Sequence, residues 1–198
     1  MDTLFSGDNI EENGLFFSAT NQRNTMSKKA IVTGGRISWI FNHVHSLGLA
    51  KYISNSFETN DKDTTKEDGD YTYKIDYSGL EYEYTFYPDS LIHHGFSLFM
   101  GTGKVFRFGD AETTYSSRVD DQDYTEVEKD LIAVKLGWQV ELNLHLYVKL
   151  LLGLHYDWIQ WDSFDLYRET GSSSEPTPVS EPTQKGPSFS TTLKIGTF

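Results

Sequence analysis

The 198-residue sequence contains no cysteine. Disulfides, thiolate metal sites and a cysteine nucleophile are therefore excluded. It also lacks any long unbroken apolar run, and its mean hydropathy is −0.48, so no helix spans a membrane. Bases are scarce, with Lys+Arg 17 against Asp+Glu 29 and a net charge of −12. Nucleic acid is accordingly not expected as a partner, because phosphate binding needs clustered Lys and Arg. Proline is scarce too, and four of the 5 (Pro176, Pro178, Pro182, Pro187) fall within GSSSEPTPVSEPTQKGP, a composition that reads as flexible and solvated. Aromatic residues are abundant at 15%, too many for a disordered chain. The length suits one domain, here 1–198. None of these absences excludes a membrane barrel, whose strands need be apolar only at alternate positions.

Residues 131–158 carry the clearest pattern. Ile132, Val134, Leu136, Trp138, Val140 and Leu142 are apolar, as are Val148, Leu150, Leu152 and Leu154, and every other even position is apolar or aromatic. The odd positions include Lys135, Gly137, Gln139, Glu141, Lys149, Gly153, His155 and Asp157. A period of two means extended strand, with successive side chains on opposite faces. A strand of that whole length would be unusual, so a tight turn is expected near Asn143–His145. One face is almost wholly greasy and the other holds full charges and glycines. A small barrel fills its interior with side chains; charges and glycines inside, with leucine and tryptophan outside, describe a barrel whose solvent is lipid.

Related alternation marks about 13–19, 30–41, 45–54, 71–87, 94–105, 130–142, 146–160 and 188–198 as strands. Within 30–41, Ile37, Trp39 and Phe41 oppose Gly34, Arg36 and Ser38; Lys51 interrupts the outward set of the next strand. In 71–87 the apolar set passes from Tyr73, Ile75 and Tyr77 to Leu80, Tyr82, Tyr84 and Phe86, a phase change that predicts a β-bulge at Ser78–Gly79. The total is eight, the smallest even number that closes a membrane barrel. Expected long connections near 20–29, 55–70, 107–129 and 162–187 alternate with short ones, as outer loops alternate with periplasmic turns. Acidity follows the long connections: 55–70 holds six acids against two bases, 108–130 eight against two, and 162–187 five against two. The expected fold is all-β, a single eight-stranded antiparallel up-and-down transmembrane β-barrel in a Gram-negative outer membrane. The N-terminus shows no basic segment leading into an apolar core, so the export signal such a barrel requires is expected to be absent from this chain.

Several groups are candidates for chemistry. Arg36, Glu81, Glu83, Lys135, Glu141, Lys149, Asp157 and Lys194 have lumen parity, and unpaired charges there would be costly, so an ion-pair network filling an occluded lumen is expected. A narrow, porin-like pore is the alternative. His43, His45, His93 and His94 lie near predicted turns, where two pairs could meet over a metal; without matching carboxylates they read as polar interface residues, and no metal or other cofactor is expected. His155, Asp157 and Ser163 define the alternative of a lipid-modifying enzyme, although no nucleophile elbow accompanies them, and the reading preferred here is not an enzyme. Acidic runs at 61–70 and 120–130 do not follow the calcium-loop pattern and read as solvated surface, with weak cation bridging to lipopolysaccharide as the sharper alternative. Tyr71, Tyr73, Tyr82, Tyr84, Tyr87, Trp39, Tyr156, Trp158 and Trp161 fall toward strand ends, as interface girdles do.

Gly34, Gly35, Arg36, Trp39, Ile40, Asn42 and His43 form a block that resembles one recurring in the small, mostly uncharacterised outer-membrane β-barrel proteins of Bacteroidetes. Leu80, Glu83, Tyr84, Phe86 and Pro88 match a second block, and the opening LFSGDNIEENGLFFSA and closing LKIGTF resemble that family's ends. The chain departs from it at Lys51 and in Phe198, which is out of phase with Leu193 and Ile195. The resemblance implies fold and location, and no catalytic residue. Expected partners are the lipid bilayer, lipopolysaccharide, and another outer-membrane or cell-surface protein met through the acidic loops, in a structural or adhesion-like role.

Overall fold

The structure is a computed structural model that describes residues 13–24, 30–55, 57–58, 72–108, 127–161, 165–166, 177–178 and 183–198. Eight long strands dominate it: β1 (Asn13–Asn24), β2 (Ile31–Phe41), β3 (His45–Ser54), β4 (Thr72–Phe86), β5 (Ile92–Phe108), β6 (Val127–His145), β7 (Val148–Trp161) and β8 (Thr183–Gly196). Two-residue pairings at 57–58 and between 165–166 and 177–178 add to these. Each long strand pairs antiparallel with its neighbours in sequence, and β1 pairs with β8. The sheet is a closed up-and-down barrel.

Register fixes its shape. From Thr183 on β8 the pairing runs through Gln160, Ile132, Thr102, Ser78, Lys51, Gly35 and Ala19, and returns to β8 at Leu193, ten residues further along. Eight strands with that offset tilt by about 40° on a cylinder of about 8 Å backbone radius. Such a cylinder has room for one layer of inward side chains from each wall, so the lumen is packed rather than open.

The outside is greasy. Phe17, Trp39, Leu49, Leu80, Met100, Ile132, Leu152 and Phe189 are each more than half exposed. Ile132, Leu136, Trp138, Val140, Leu152 and Leu154 are also exposed, while Val134, Leu142, Val148 and Leu150 occupy the same face half-buried by neighbours. Inside, three layers stack along the axis. Phe16, Ile40 and Phe198 close the short-turn end. Charged groups fill the middle. Toward the long connections, Val32, Tyr52, Ile75, Tyr77, Phe99, Val105, Leu131, Ile159 and Trp161 form an apolar plug.

Four expectations are corrected. No bulge interrupts β4: Ser78 pairs with Thr102 and Gly79 with Gly101 in unbroken register. Ile75 and Tyr77 therefore point inward with Glu81 and Glu83, and belong to the plug. Aromatic residues suit either face of this wall, which is why their parity misled. The β6–β7 turn is Leu146–Tyr147, not Asn143–His145; the irregularity falls between Asn143 and His145 instead. Tyr73 and Trp161 turn inward rather than into a girdle, Tyr73 packing against the plug. Finally, strands overrun the expected ends, β1 continuing to Asn24, β5 to Phe108 and β8 starting at Thr183, because the polar residues there still alternate and pair. Phe198 leaves the outward phase to pack against Phe16 inside the barrel mouth, the ring centroids 5.8 Å apart and the planes tilted by 30°.

Glycines seat the interior rings. A Cβ on Gly34 would stand 2.2 Å from the Tyr52 ring, and one on Gly101 would stand 2.6 Å from Phe99 and 2.4 Å from the Ser78 carbonyl. The missing side chain is the socket for the aromatic one on the neighbouring strand.

Candidate functional site

Each charged lumen residue arrives by strand parity, and neighbouring strands bring the charges to matching heights. Arg36 on β2 forks between two carboxylates of β4, with Nη1 2.9 Å from Glu81 Oε1 and Nη2 2.9 Å from Glu83 Oε2. Across the barrel, Lys194 Nζ from β8 bridges Glu83 Oε2 at 2.9 Å and Glu141 Oε2 at 2.6 Å. Glu141 also accepts from Lys149 Nζ at 3.0 Å and from His93 Nε2 at 2.7 Å. Neutral donors complete the shell: Tyr52 OH donates to Glu81 Oε2 at 2.6 Å, Gln139 to Glu83 Oε1 at 2.7 Å, and Ser46 to Glu83 Oε2 at 3.2 Å. Arg36 and Lys194 lie over the Phe16 ring, both at 4.9 Å, and Lys149 over Phe198 at 4.3 Å, cation–π contacts that help hold ammonium and guanidinium groups out of water.

A second cluster joins Lys135 to Asp157 through an amide. Gln22 Oε1 accepts from Lys135 Nζ at 2.8 Å, while Gln22 Nε2 donates to Asp157 Oδ2 and Ser188 Oγ, both at 2.7 Å. The Lys135 ammonium sits 3.4 Å from the Tyr52 ring centroid, with Tyr77 and Phe99 at 5.4 and 5.6 Å. The eight charged side chains are all buried. Four are cationic (Arg36, Lys135, Lys149, Lys194) and four anionic (Glu81, Glu83, Glu141, Asp157), so the lumen is electrically balanced. Between the clusters lies a cavity of about 20 Å³ lined by Gln22, Arg36, Glu81, Lys135, His155 and Ser190 among others, enough for a single water. Chemically this is a self-neutralised filling: every one of these carboxylates has cationic or amide partners, and the cavity they line among the described residues has room only for water.

Three partners were not identified from sequence. Gln22 lies beyond the expected end of the first strand, and extending its alternation by three residues would have placed it inside. His93 shares parity with Gly95 and Ser97, so it belonged to the lumen set from the start. Tyr52 follows Gly48 and Ala50 on the inward face of β3. The signal in each case was parity carried past an expected boundary.

The histidine pairs do not converge. His93 is buried inside, while His94 lies outside, stacked on Trp138 at 5.1 Å and on Phe86 at 5.0 Å. His45 is likewise outside, hydrogen-bonded to Tyr82 OH at 2.7 Å. Among the described residues no group of three metal-ligating side chains forms. His155 and Asp157 both face the lumen; His155 Nε2 meets Ser190 Oγ at 2.7 Å, and Asp157 is 2% exposed. Neither is reached from the lipid side, as attack on a lipid would require, and Ser163 lies outside the described residues. The acidic run 61–70 lies outside them too, as does 120–126. Outside the wall, Phe41, His45, Tyr82, Tyr84, Phe86, His94 and Trp138 form a continuous band of ring contacts at the short-turn end. Tyr156 and Trp158 stand at the other end, Trp158 beneath Lys185 Nζ at 5.2 Å.

No protein family matches the sequence, and no curated protein is similar to it. Among solved structures, the chain is similar to Neisserial surface protein A, with a TM-score of 0.48 and 11% identity over 92% of this chain and 94% of that one. It is also similar to the Yersinia pestis outer membrane protein Ail in a phospholipid bilayer nanodisc, with a TM-score of 0.39 and 12% identity over 93% and 99% of the two chains. The barrel described above stands on this chain's own strand pairing.

Proposed function

We propose that this chain is an integral outer-membrane barrel of a Gram-negative bacterium. In this reading it serves as a sealed, rigid anchor that presents its long acidic connections for structural or adhesion-like binding. The observation that carries the reading is the inversion of the wall: eight charged side chains are buried inside while leucine, isoleucine, tryptophan and phenylalanine are exposed outside. In water that arrangement would leave a large apolar surface unprotected; in lipid it satisfies both faces. The filled lumen favours binding over transport. The Gly34–His43 block further favours a place among the small barrels of Bacteroidetes, and recovery of that block chiefly from barrels of other phyla would count against it.

Detergent dependence tests the anchor. The refolded chain is expected to aggregate without detergent or vesicles, and a monodisperse detergent-free monomer would overturn the assignment. Binding is tested by neutralising the acids of 55–70 and 110–126 to Asn and Gln. Association with purified lipopolysaccharide in the presence of divalent cations, and capture of surface partners from native membranes, should both fall. If neither changes, the connections are not the binding surface.

A further inference from the structure

Two residues on the outward face of β1 and β2 are unexplained by the barrel itself. The first is Asn21, which pairs with Thr191 on one side and Thr33 on the other, all three facing outward. With strands tilted about 40°, each residue climbs roughly 2.5 Å along the axis, and each pairing step from β1 toward β8 climbs a little over one residue. On that scale Asn21 stands about 8 Å below Ile31 and Trp158, at the upper edge of the apolar belt, and about 15 Å above Leu15 and Val148, at its lower edge. Its carboxamide, with two donors and an acceptor, therefore lies among acyl chains, where an unsatisfied polar group is costly. It makes no side-chain hydrogen bond among the described residues. Lys51, at a similar depth, escapes the same difficulty through its long stem and an ion pair with Asp76 at 3.1 Å. Asn21 is too short for that. Thr33 makes fewer demands, since its hydroxyl reaches the Ile53 carbonyl at 3.4 Å.

The second residue is Gly35, which pairs with Ala19 in the row beneath Asn21. A Cβ on Gly34 would collide with the Tyr52 ring and one on Gly48 with the Ser38 hydroxyl, but one on Gly35 would meet nothing nearer than the Ser18 carbonyl at 3.6 Å, an ordinary contact. Nor is a positive φ the reason, since among the described glycines that belongs to Gly186. Nothing within the barrel asks for glycine at 35. A bare position in a strand whose own neighbours leave it room marks close approach by another backbone from outside.

We propose that this wall is the interface of a homodimer, in which two copies inserted the same way meet at Asn21 about a twofold axis along the bilayer normal. The inference rests on the membrane reading above. Copies so related bring each residue near the axis against itself at its own depth. A carboxamide is one of the few side chains that complements itself: each amide donates to the carbonyl oxygen of the other, and both are satisfied where lipid offers no partner. Ala19 and Gly35 give the two walls room to approach, as small residues do between membrane segments. Phe17 and Ile37 in the next row down, and Phe189 and Ile31 in the row above, frame the contact with apolar surface. Nearby charge does not oppose the pairing. Lys51 is neutralised by Asp76, and the stem of Arg23 is long enough to carry its guanidinium up to the headgroups. A phosphate-bearing lipid suits the site poorly, because the amide carries no charge and lies below headgroup level.

The absence of cysteine makes the test direct. Three single variants are compared: Ala19→Cys on the proposed interface, and Met100→Cys and Leu136→Cys on the far wall, within about a residue of Asn21 in height. Each is refolded into phosphatidylcholine vesicles at high lipid dilution and treated with a short bis-maleimide. The expected product is a covalent dimer at Ala19→Cys and several-fold less of it at the other two sites. Adding Asn21→Leu or, separately, Gly35→Leu to Ala19→Cys should cut the dimer several-fold while gels run without heating still show the folded band. Monomer alone at all three sites would overturn the proposal. So would equal cross-linking at all three, the mark of random collision, or a dimer that either added substitution leaves intact. Should Asn21→Leu fail to fold, Asn21→Ala removes the amide in its place. Chains that do not float with the vesicles would sink the membrane reading itself, whereas inserted monomers would sink only the dimer.

Discussion

Glu141 gathers more basic partners than any other lumen carboxylate, accepting from Lys149, Lys194 and His93 at once. Removing one partner of a buried ion pair leaves the others desolvated without compensation. Glu141→Ala is therefore expected to cost about 3–5 kcal/mol, read as a fall in urea midpoint for the barrel refolded in vesicles. The exposed pairs provide the contrast. Lys51→Ala and Lys104→Ala, which break the contacts with Asp76 and Glu128, should each change stability by less than about 1 kcal/mol; equal losses for buried and exposed pairs would refute the account of the lumen. Glycine matters at this scale as space. A Cβ on Gly153 would stand 2.4 Å from His155 Nε2 and 2.5 Å from Ser190 Oγ, so Gly153→Ala should cost about 1–3 kcal/mol through overpacking. In the double variant with His155→Ala the combined loss should be smaller than the two single losses together, a coupling that a double-mutant cycle measures. From the sequence, the inward direction of these residues was legible through parity. Their partners were not, because parity says nothing of which distant strands meet across a lumen.

At the scale of the element, the β6–β7 hairpin shows how one residue preserves a face. Leu142 pairs with Leu150, but His145 pairs with Val148. Even-numbered residues point outward on both strands, yet a two-residue turn alone would set odd against even. The irregularity between Asn143 and His145 absorbs the extra residue. Deleting Leu144 should therefore force either the turn or one strand out of phase, turning Lys149 and Asp157 toward lipid. The expected outcome is loss of the folded band in gels run without heating; a normally folded deletion variant would show that the turn, not the bulge, carries the register. β4 teaches the reverse. Its apolar residues shift parity in sequence without any shift in register, because Tyr77 and Ile75 belong to an inner plug and Leu80 to the outer belt. Apolarity is ambiguous where both solvents, lipid and plug, are greasy; a charge or a glycine such as Glu81 or Gly101 is the better guide to the inside.

For the whole molecule, closure decides the lumen. Phe16, Ile40 and Phe198 stop one mouth and the Tyr77–Phe99–Trp161 plug the other, with a cavity of only about 20 Å³ between. Planar bilayers containing the purified barrel should show no discrete conductance, and reproducible unitary steps would overturn the sealed interior. The alternation of the chain by itself determined that eight strands form, and, wherever charges and glycines mark one face, that this face turns inward, because side-chain direction in a strand repeats every second residue whatever lies nearby. Only the tertiary structure decided how those strands are offset. The ten-residue climb around the cylinder places Gln22 between Lys135 and Asp157 and sets Glu141 among its cations. That offset is a property of closing a sheet on itself, which no single strand encodes.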